Sequence, residues 1–401
     1  MIRKISIILI VILAIMMPTA ASADSGIKLI NSGTKVDFPA SLTFTIKAES
    51  SAQITRIRLR YAVQQMTYTP TFAEVWPDFN PDTSVSTSWT WDMRTGDLPP
   101  GAKVNYWWVI EDSSGNKLTT PQQAVSFDDT NHKWMEVSED NIFIHWYQGN
   151  TDFANSLLKA AVTAKNMQEH DTGAVIDTPV NLYIYGSQQD LLSSMISHED
   201  WTGGRARFEF NIILLFISPS DLDWGEKAEA HEIGHLVTHQ ITSSPYGTGL
   251  PPWLDEGLAM HAEGAQSDSD AALLKAAISA GSISTLQSLS SPFSADPQEA
   301  YIDYAQSQSV VEFLLNKYGN DNMNKLLVTL NNGYSMDDAL TKVYGFNMDE
   351  LDSAWLKHMT PAPNNNEVHR NIMRLELPST PITIGVFLVN PQQIEVALEA
   401  I

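Results

Sequence analysis

Between Ser25 and Asp129, apolar and polar positions alternate with period two. In ITRIRLRYAV, Ile57, Leu59, Tyr61 and Val63 interleave with Arg56, Arg58 and Arg60, and SLTFTIKA sets Leu42, Phe44 and Ile46 against polar neighbours. KVNYWWVIED does the same with Val104, Tyr106, Trp108 and Ile110. Successive side chains of a strand point to opposite faces, so the pattern predicts strands with one buried and one wet face. LPPGA and SSGN mark turns between them. Several such strands in about 100 residues predict an antiparallel, immunoglobulin-like β-sandwich, assigned to residues 24–130. Trp89, Trp91, Tyr106, Trp107 and Trp108 fall within it. Such aromatics are ordinarily sandwich core, and the rival reading is a sugar-binding face.

After His132 the texture changes. IFIHWY (142–147) and VNLYIY (180–185) read as buried strands, residues 152–168 have helical spacing, and RFEFNIILLFIS (207–218) reads as another strand. From Trp224 onward the apolar spacing is helical, with Gly319 and Gly345 placed as C-terminal stops. Strands followed by helices predict an α+β domain, assigned to residues 131–360. Residues 361–401 read as a polar linker and a short tail containing the apolar piece ITIGVFLV.

Arg3 and Lys4 precede an apolar run from Ile5 to Met17 broken only by Ser6, and Ala21-Ser22-Ala23 follows Pro18. That is the layout of a cleavable secretory signal, residues 1–23. The run is short for a membrane anchor, which needs about 20 residues. The expected location is therefore secreted or extracytoplasmic, with no membrane span in the mature chain. The chain has no cysteine, so a metal would have to be held by His, Asp or Glu. A formal net charge of −23 argues against nucleic acid or anionic lipid as a partner. The acidic residues are dispersed, as on a solvated surface.

AEAHEIGHLVTHQ holds His231, His235 and His239 at four-residue intervals. On a helix, neighbouring members lie about 40° and about 6 Å apart, while the outer two are about 12 Å apart along the axis. Zinc–nitrogen bonds are about 2.0–2.1 Å, so one ion cannot collect all three from a straight helix. Only His231 and His235 frame a glutamate, Glu232, as H-E-x-x-H, the spacing that places a carboxylate beside the metal site. A metzincin continuation would need Gly and His where Thr238 and Ile241 stand. The chain continues instead into LPPWLDEGLAMHAEG, with Pro251 and Pro252 opening a helix and Glu256 lying 21 positions after His235.

With these two elements the sequence resembles the gluzincin metallopeptidases, the clan of thermolysin and aminopeptidase N. WLDEGLA looks like their second helix. YIDYAQSQSVVEFLLNKYG and LLVTLNNGYSMDDALTKVYGFNMDELDSAWLKHM are similar to the C-terminal helices of peptidase-MA-like metallohydrolases. The resemblance covers about Ile142 to Met359 and implies a zincin-type, thermolysin-like α+β fold. It further implies one zinc per chain held by His231, His235 and Glu256, a peptide or protein substrate, and water activated by Glu232 as general base. Tyr304 would be the oxyanion donor, with Tyr301 the alternative, and strand Phe208–Phe216 would be the edge that pairs with an extended peptide. Gly203 and Gly204 either allow close approach of that peptide or form a plain turn.

Thermolysin-like enzymes carry an aspartate four residues after the glutamate ligand, where this chain has Met260. The residue orienting a ligand histidine must come from elsewhere, with Asp255 and Glu263 the candidates. His239 and His261 are expected to be structural or supporting rather than ligands. The leading expectation is a secreted zinc metallopeptidase. The competing ones are a binding or scaffold protein on a peptidase fold, and a zinc hydrolase of non-peptide amides or esters.

Overall fold

The computed structural model describes residues 26–65, 71–197, 203–243 and 249–360. The expected signal segment, 1–23, and the expected linker and tail, 361–401, lie outside the described residues. The N-terminal region is β-rich and the C-terminal region is rich in helix.

Seven strands make up the first sheet: β1 (Ile27–Asp37), β2 (Ser41–Val63), β3 (Ala73–Val75), β4 (Asp82–Asp92), β5 (Ala102–Asp112), β6 (Lys117–Thr119) and β7 (Gln123–Phe127). The 23-residue β2 organises them. Its first half pairs with β1 and β4 and its second half with β3 and β5, all antiparallel. Register shifts on either side of Ile54 separate the halves. Such bulges bend a strand and increase its twist, which lets both halves serve one core. Leu42, Phe44 and Ile46 from the first half join Ile57 and Leu59 from the second in a buried cluster with Val104, Tyr106 and Trp108. Trp89 and Trp91 pack on the rim of that cluster and stack with each other, with Trp89 also stacked on Tyr61. Trp107, by alternation, lies on the other face, edge-on to Phe72.

A second sheet contains β8 (Met135–Glu139), β9 (Ile142–Trp146), β10 (Val180–Tyr185), β11 (Gly204–Arg207) and β12 (Ile212–Phe216), in the order β11-β12-β10-β9-β8. β9, β10 and β12 run parallel, and the two outer strands are antiparallel to their neighbours. The single strand expected over 207–218 is broken. Phe208–Phe210 form a 3-10 turn and Asn211 takes a left-handed φ of 53°, a region Asn tolerates better than most residues. The chain therefore reverses into a hairpin. The edge strand is β11, and β12, expected from the sequence at the edge, lies inside the sheet.

α1 (Thr151–Thr172) links the parallel strands β9 and β10. It is capped by the Asn150 side chain, which accepts from Phe153 N, and stopped by Gly173 at φ 71°. α2 (Gln188–Ser193) is short, and α3 (Leu222–Thr242) comes after β12. α1 and α3 cover the sheet through a core of Leu157, Ala161, Leu182, Ile213, Ile233 and Val237 among others. Then come α4 (Pro252–Ala262), α5 (Asp268–Ala280), α6 (Pro297–Tyr318), α7 (Asn320–Asn331), α8 (Met336–Tyr344) and α9 (Met348–Met359). A second core joins them around Trp253 and Trp355, both fully buried. Each such side chain removes about 150–250 Å² from water, worth on the order of 4–6 kcal/mol as an upper figure. No helix among the described residues is long and apolar enough to cross a membrane.

Candidate metal centre

The motif helix is α3, and its histidines face α4. Two glycines allow the close helix packing that brings the site together. A Cβ on Gly234 would lie 2.8 Å from Ala262 Cβ and 2.9 Å from Ala259 Cα, so α3 and α4 meet nearly backbone to backbone. A Cβ on Gly257 would lie 2.6 Å from the Ser307 carbonyl oxygen, so α4 meets α6 in the same way. The residues beside them are His235 on α3 and Glu256 on α4. From α1, buried Gln168 donates through Nε2 to Leu258 O at 2.6 Å and ties that helix to the pair.

His231 Nε2 and His235 Nε2 are 3.2 Å apart, and Glu256 Oε2 lies 3.3 Å from the first and 3.5 Å from the second. Four ligands placed tetrahedrally at about 2.0–2.1 Å from zinc are separated by about 3.3–3.4 Å, so this triangle has the size of one tetrahedral face. The outer nitrogens are held by carboxylates. His231 Nδ1 donates to Glu263 Oε1 at 2.8 Å, and His235 Nδ1 donates to Asp255 Oδ1 at 3.1 Å. In the neutral imidazoles this pairing fixes the tautomer whose Nε2 lone pairs converge. The two candidates for the orienting role therefore both fill it, one for each histidine.

The electrostatics fit a cation. Glu232 is fully buried, and neither of its carboxylate oxygens has a hydrogen-bond partner among the described residues. Burial raises its pKa above the ordinary glutamate range, and the opposing pull of His235 and His231 only partly offsets this. Burial also acts to raise Glu256, but the two histidines outweigh it and hold that carboxyl below its ordinary value. For His231, burial acts downward, yet hydrogen bonds to Glu256 and Glu263 push it up to about 9. Asp255 is half-buried; desolvation acts to raise it, but His235 and His239 outweigh this and hold it well below the carboxylate range. Oxygen and nitrogen donors at ligand separation, with carboxylates behind them, suit a divalent metal, and the residues present fit one.

Tyr304 on α6 is brought to the site. Its ring packs edge-on to Phe293 at 5.0 Å. Burial, then the charges of Glu256 and Glu232, raise its hydroxyl above the ordinary tyrosine range, so it remains protonated. Tyr301 instead donates its hydroxyl to Asp270. His261 Nε2 pairs with Asp171 Oδ2 at 2.8 Å, away from the triangle. His239 stacks on Phe208 at 4.1 Å, with its Nε2 3.8 Å from Asp255 Oδ2. Neither histidine joins the triangle.

Glu229, two residues before His231, has no signal in the sequence to single it out. It is fully buried, its two oxygens have no hydrogen-bond partner among the described residues, and burial, then Glu226, raises its pKa well above 4.5. Because its native pKa is raised, it favours the fold fully below the ordinary glutamate pKa and loses that contribution as pH rises through the native pKa. Glu229→Met is expected to stabilise the chain by about 1–3 kcal/mol at neutral pH. It should also flatten the decline in stability with rising pH. Thermal melts of both chains between pH 4 and 8 check this, and an unchanged pH slope would contradict it.

Residues 160–361, about half of the chain, match the family described as the Peptidase MA superfamily, a span that contains α3, α4 and α6. Comparison with curated protein sequences gives no match. Among solved structures, the chain is similar to an M1 zinc metallopeptidase from Deinococcus radiodurans at 12% identity. That alignment covers 84% of this chain and 96% of that one, with a TM-score of 0.35. It is also similar to a family 56 carbohydrate-binding module that binds β-1,3-glucan, at 16% identity. Here 24% of this chain and 95% of that one are covered, with a TM-score of 0.16. Likeness at these levels carries no conclusion about fold or function. With the triangle of donors inside the matched span, the chain belongs to the Peptidase MA superfamily.

Proposed function

We propose that the protein is a secreted, zinc-dependent peptidase of gluzincin type. Its parts would be a signal at residues 1–23, an immunoglobulin-like sandwich at 24–130 and a thermolysin-like peptidase domain at 131–360. The observation that carries this reading is the triangle of His231, His235 and Glu256 with the unpartnered Glu232 carboxyl beside it. One zinc held there would act as a Lewis acid, polarising the scissile carbonyl and making water more acidic. Glu232 takes a proton from the attacking water and passes it to the departing amine. Its burial away from hydrogen-bond donors among the described residues leaves both carboxylate oxygens available for that transfer. Tyr304, kept protonated, donates to the developing oxyanion. Glu263 and Asp255 hold the imidazoles in one tautomer throughout. The β11 edge takes an extended peptide backbone by strand addition.

The scaffold alternative drew support from the absence of an aspartate at position 260. The hydrogen bonds of Asp255 and Glu263 to the two histidines support the peptidase reading on this point, and the other ground for the alternative was the N-terminal sandwich. Digestion of a mixed peptide library by the purified chain tests the proposal. Cleavage is expected to stop on chelation and to return on adding zinc. Cleavage that survives chelation, or a fully loaded chain that cuts no peptide, would overturn it.

A further inference from the structure

We infer that the N-terminal β-rich region braces the strand that receives the substrate, and that Asp97 is the positioning residue through which it does so. The inference rests on the peptidase reading.

Asp97 lies in the turn after β4 with φ 43°, a left-handed conformation that Asp adopts more readily than most residues. Its backbone N donates to Met93 O at 2.8 Å, so the turn is closed and the carboxylate is aimed. It accepts from Arg205 Nη2 at 3.3 Å and from Arg207 Nη1 at 3.0 Å, and Arg207 Nη1 also donates to Asp97 O at 2.8 Å. Arg205 and Arg207 are alternate residues of β11, so one carboxylate from the turn after β4 holds both arginines on one face of the edge strand of the second sheet. Arg207 is tied down further by Glu209 at 2.8 Å.

The strand so gripped presents its backbone outward. Phe216 N donates to Gly203 O at 2.9 Å, and β11 pairs antiparallel with β12 in register with that bond. Hydrogen-bonded and non-bonded pairs alternate along such a ladder. Arg205 and Arg207 therefore bond β12, while the N–H and C=O groups of Gly204 and Ala206 point away from it. No further strand covers that edge among the described residues. Phe208 comes next, stacked on His239 and with its ring 6.4 Å from that of His235. The free backbone edge thus runs up to the metal helix. β11 has four residues and, among the described residues, one strand partner, so side-chain contacts, including Arg205 Nη1 to Ser197 O at 3.0 Å, add to what fixes its register. Asp97 supplies the second side of the grip.

The test compares the full-length chain with Asp97→Asn, which keeps the tolerance for left-handed φ and removes the charge. The amides of Arg205 and Arg207 are expected to exchange with deuterium about fivefold faster in the variant. KM for a cleaved peptide should rise about twofold to fivefold, with kcat and zinc affinity unchanged, and Asp97→Glu should recover part of the loss. Unchanged exchange at β11 overturns the inference. So does a fall in kcat or zinc affinity parallel to the change in KM, because the contact would then support the fold as a whole. If the wild-type chain cleaves no peptide, the peptidase reading fails by itself, and the exchange measurement still decides whether Asp97 braces the strand.

Discussion

Glu232→Gln is expected to keep zinc bound and to lower kcat by about 10²–10⁴-fold, the range of a positioned general base. Gln has nearly the shape of Glu and needs no new space in a fully buried position. It cannot accept a proton, so it removes the step assigned to Glu232 and nothing else. The fold should tolerate the change well. Burial already disfavours the charged carboxylate, and neither of its oxygens has a hydrogen bond to lose among the described residues. Metal content by elemental analysis, measured beside kcat, checks both halves. Retained cleavage would remove Glu232 from the chemistry, and loss of zinc would recast it as part of the binding site.

The second large effect concerns the carboxylates behind the histidines. Asp255→Asn and Glu263→Gln are each expected to weaken zinc binding by about 10–100-fold, the usual consequence of losing a group that orients a ligand imidazole. Each variant keeps a polar side chain in place but leaves Nδ1 facing an amide that can turn either end toward it, so the tautomer is no longer imposed. Asp255 should matter more. It contacts both His235 and His239 and lies far below its ordinary pKa, whereas among the described residues Glu263 pairs with one histidine, His231. Competition with a chromophoric chelator gives the affinities. Equal affinity in all three chains would mean the ligands are positioned by helix packing alone.

The grouping of His231, His235 and Glu256 was legible because their spacing is a property of one helix and the start of the next. His231, Glu232 and His235 stand on the face that periodicity assigns, and Pro251 and Pro252 mark where Glu256's helix begins. What stands behind the ligands was not legible. Whether Asp255 or Glu263 meets a given imidazole depends on how α4 crosses α3, and that crossing is set by Gly234, a residue without a side chain to attract attention. The β11–β12 hairpin was missed because RFEFNIILLFIS is apolar enough to read as one strand. The available signal was Asn211, the one residue in that run suited to a left-handed turn. The two apolar stretches of β2 were both seen, but not that they are one continuous strand, since no large apolar residue between Ile46 and Ile54 carries the alternation across the bulge that joins them. Nothing local announced Asp97, whose partners lie more than 100 positions away.

The proposed chemistry depends throughout on a metal between His231, His235 and Glu256. The most direct test is the zinc content of the full-length chain, purified with zinc present and then dialysed, beside His235→Ala treated in the same way. One zinc per chain in the first and none in the second is the result expected. A chain that keeps no zinc, or a variant that keeps as much as the parent, would contradict the account.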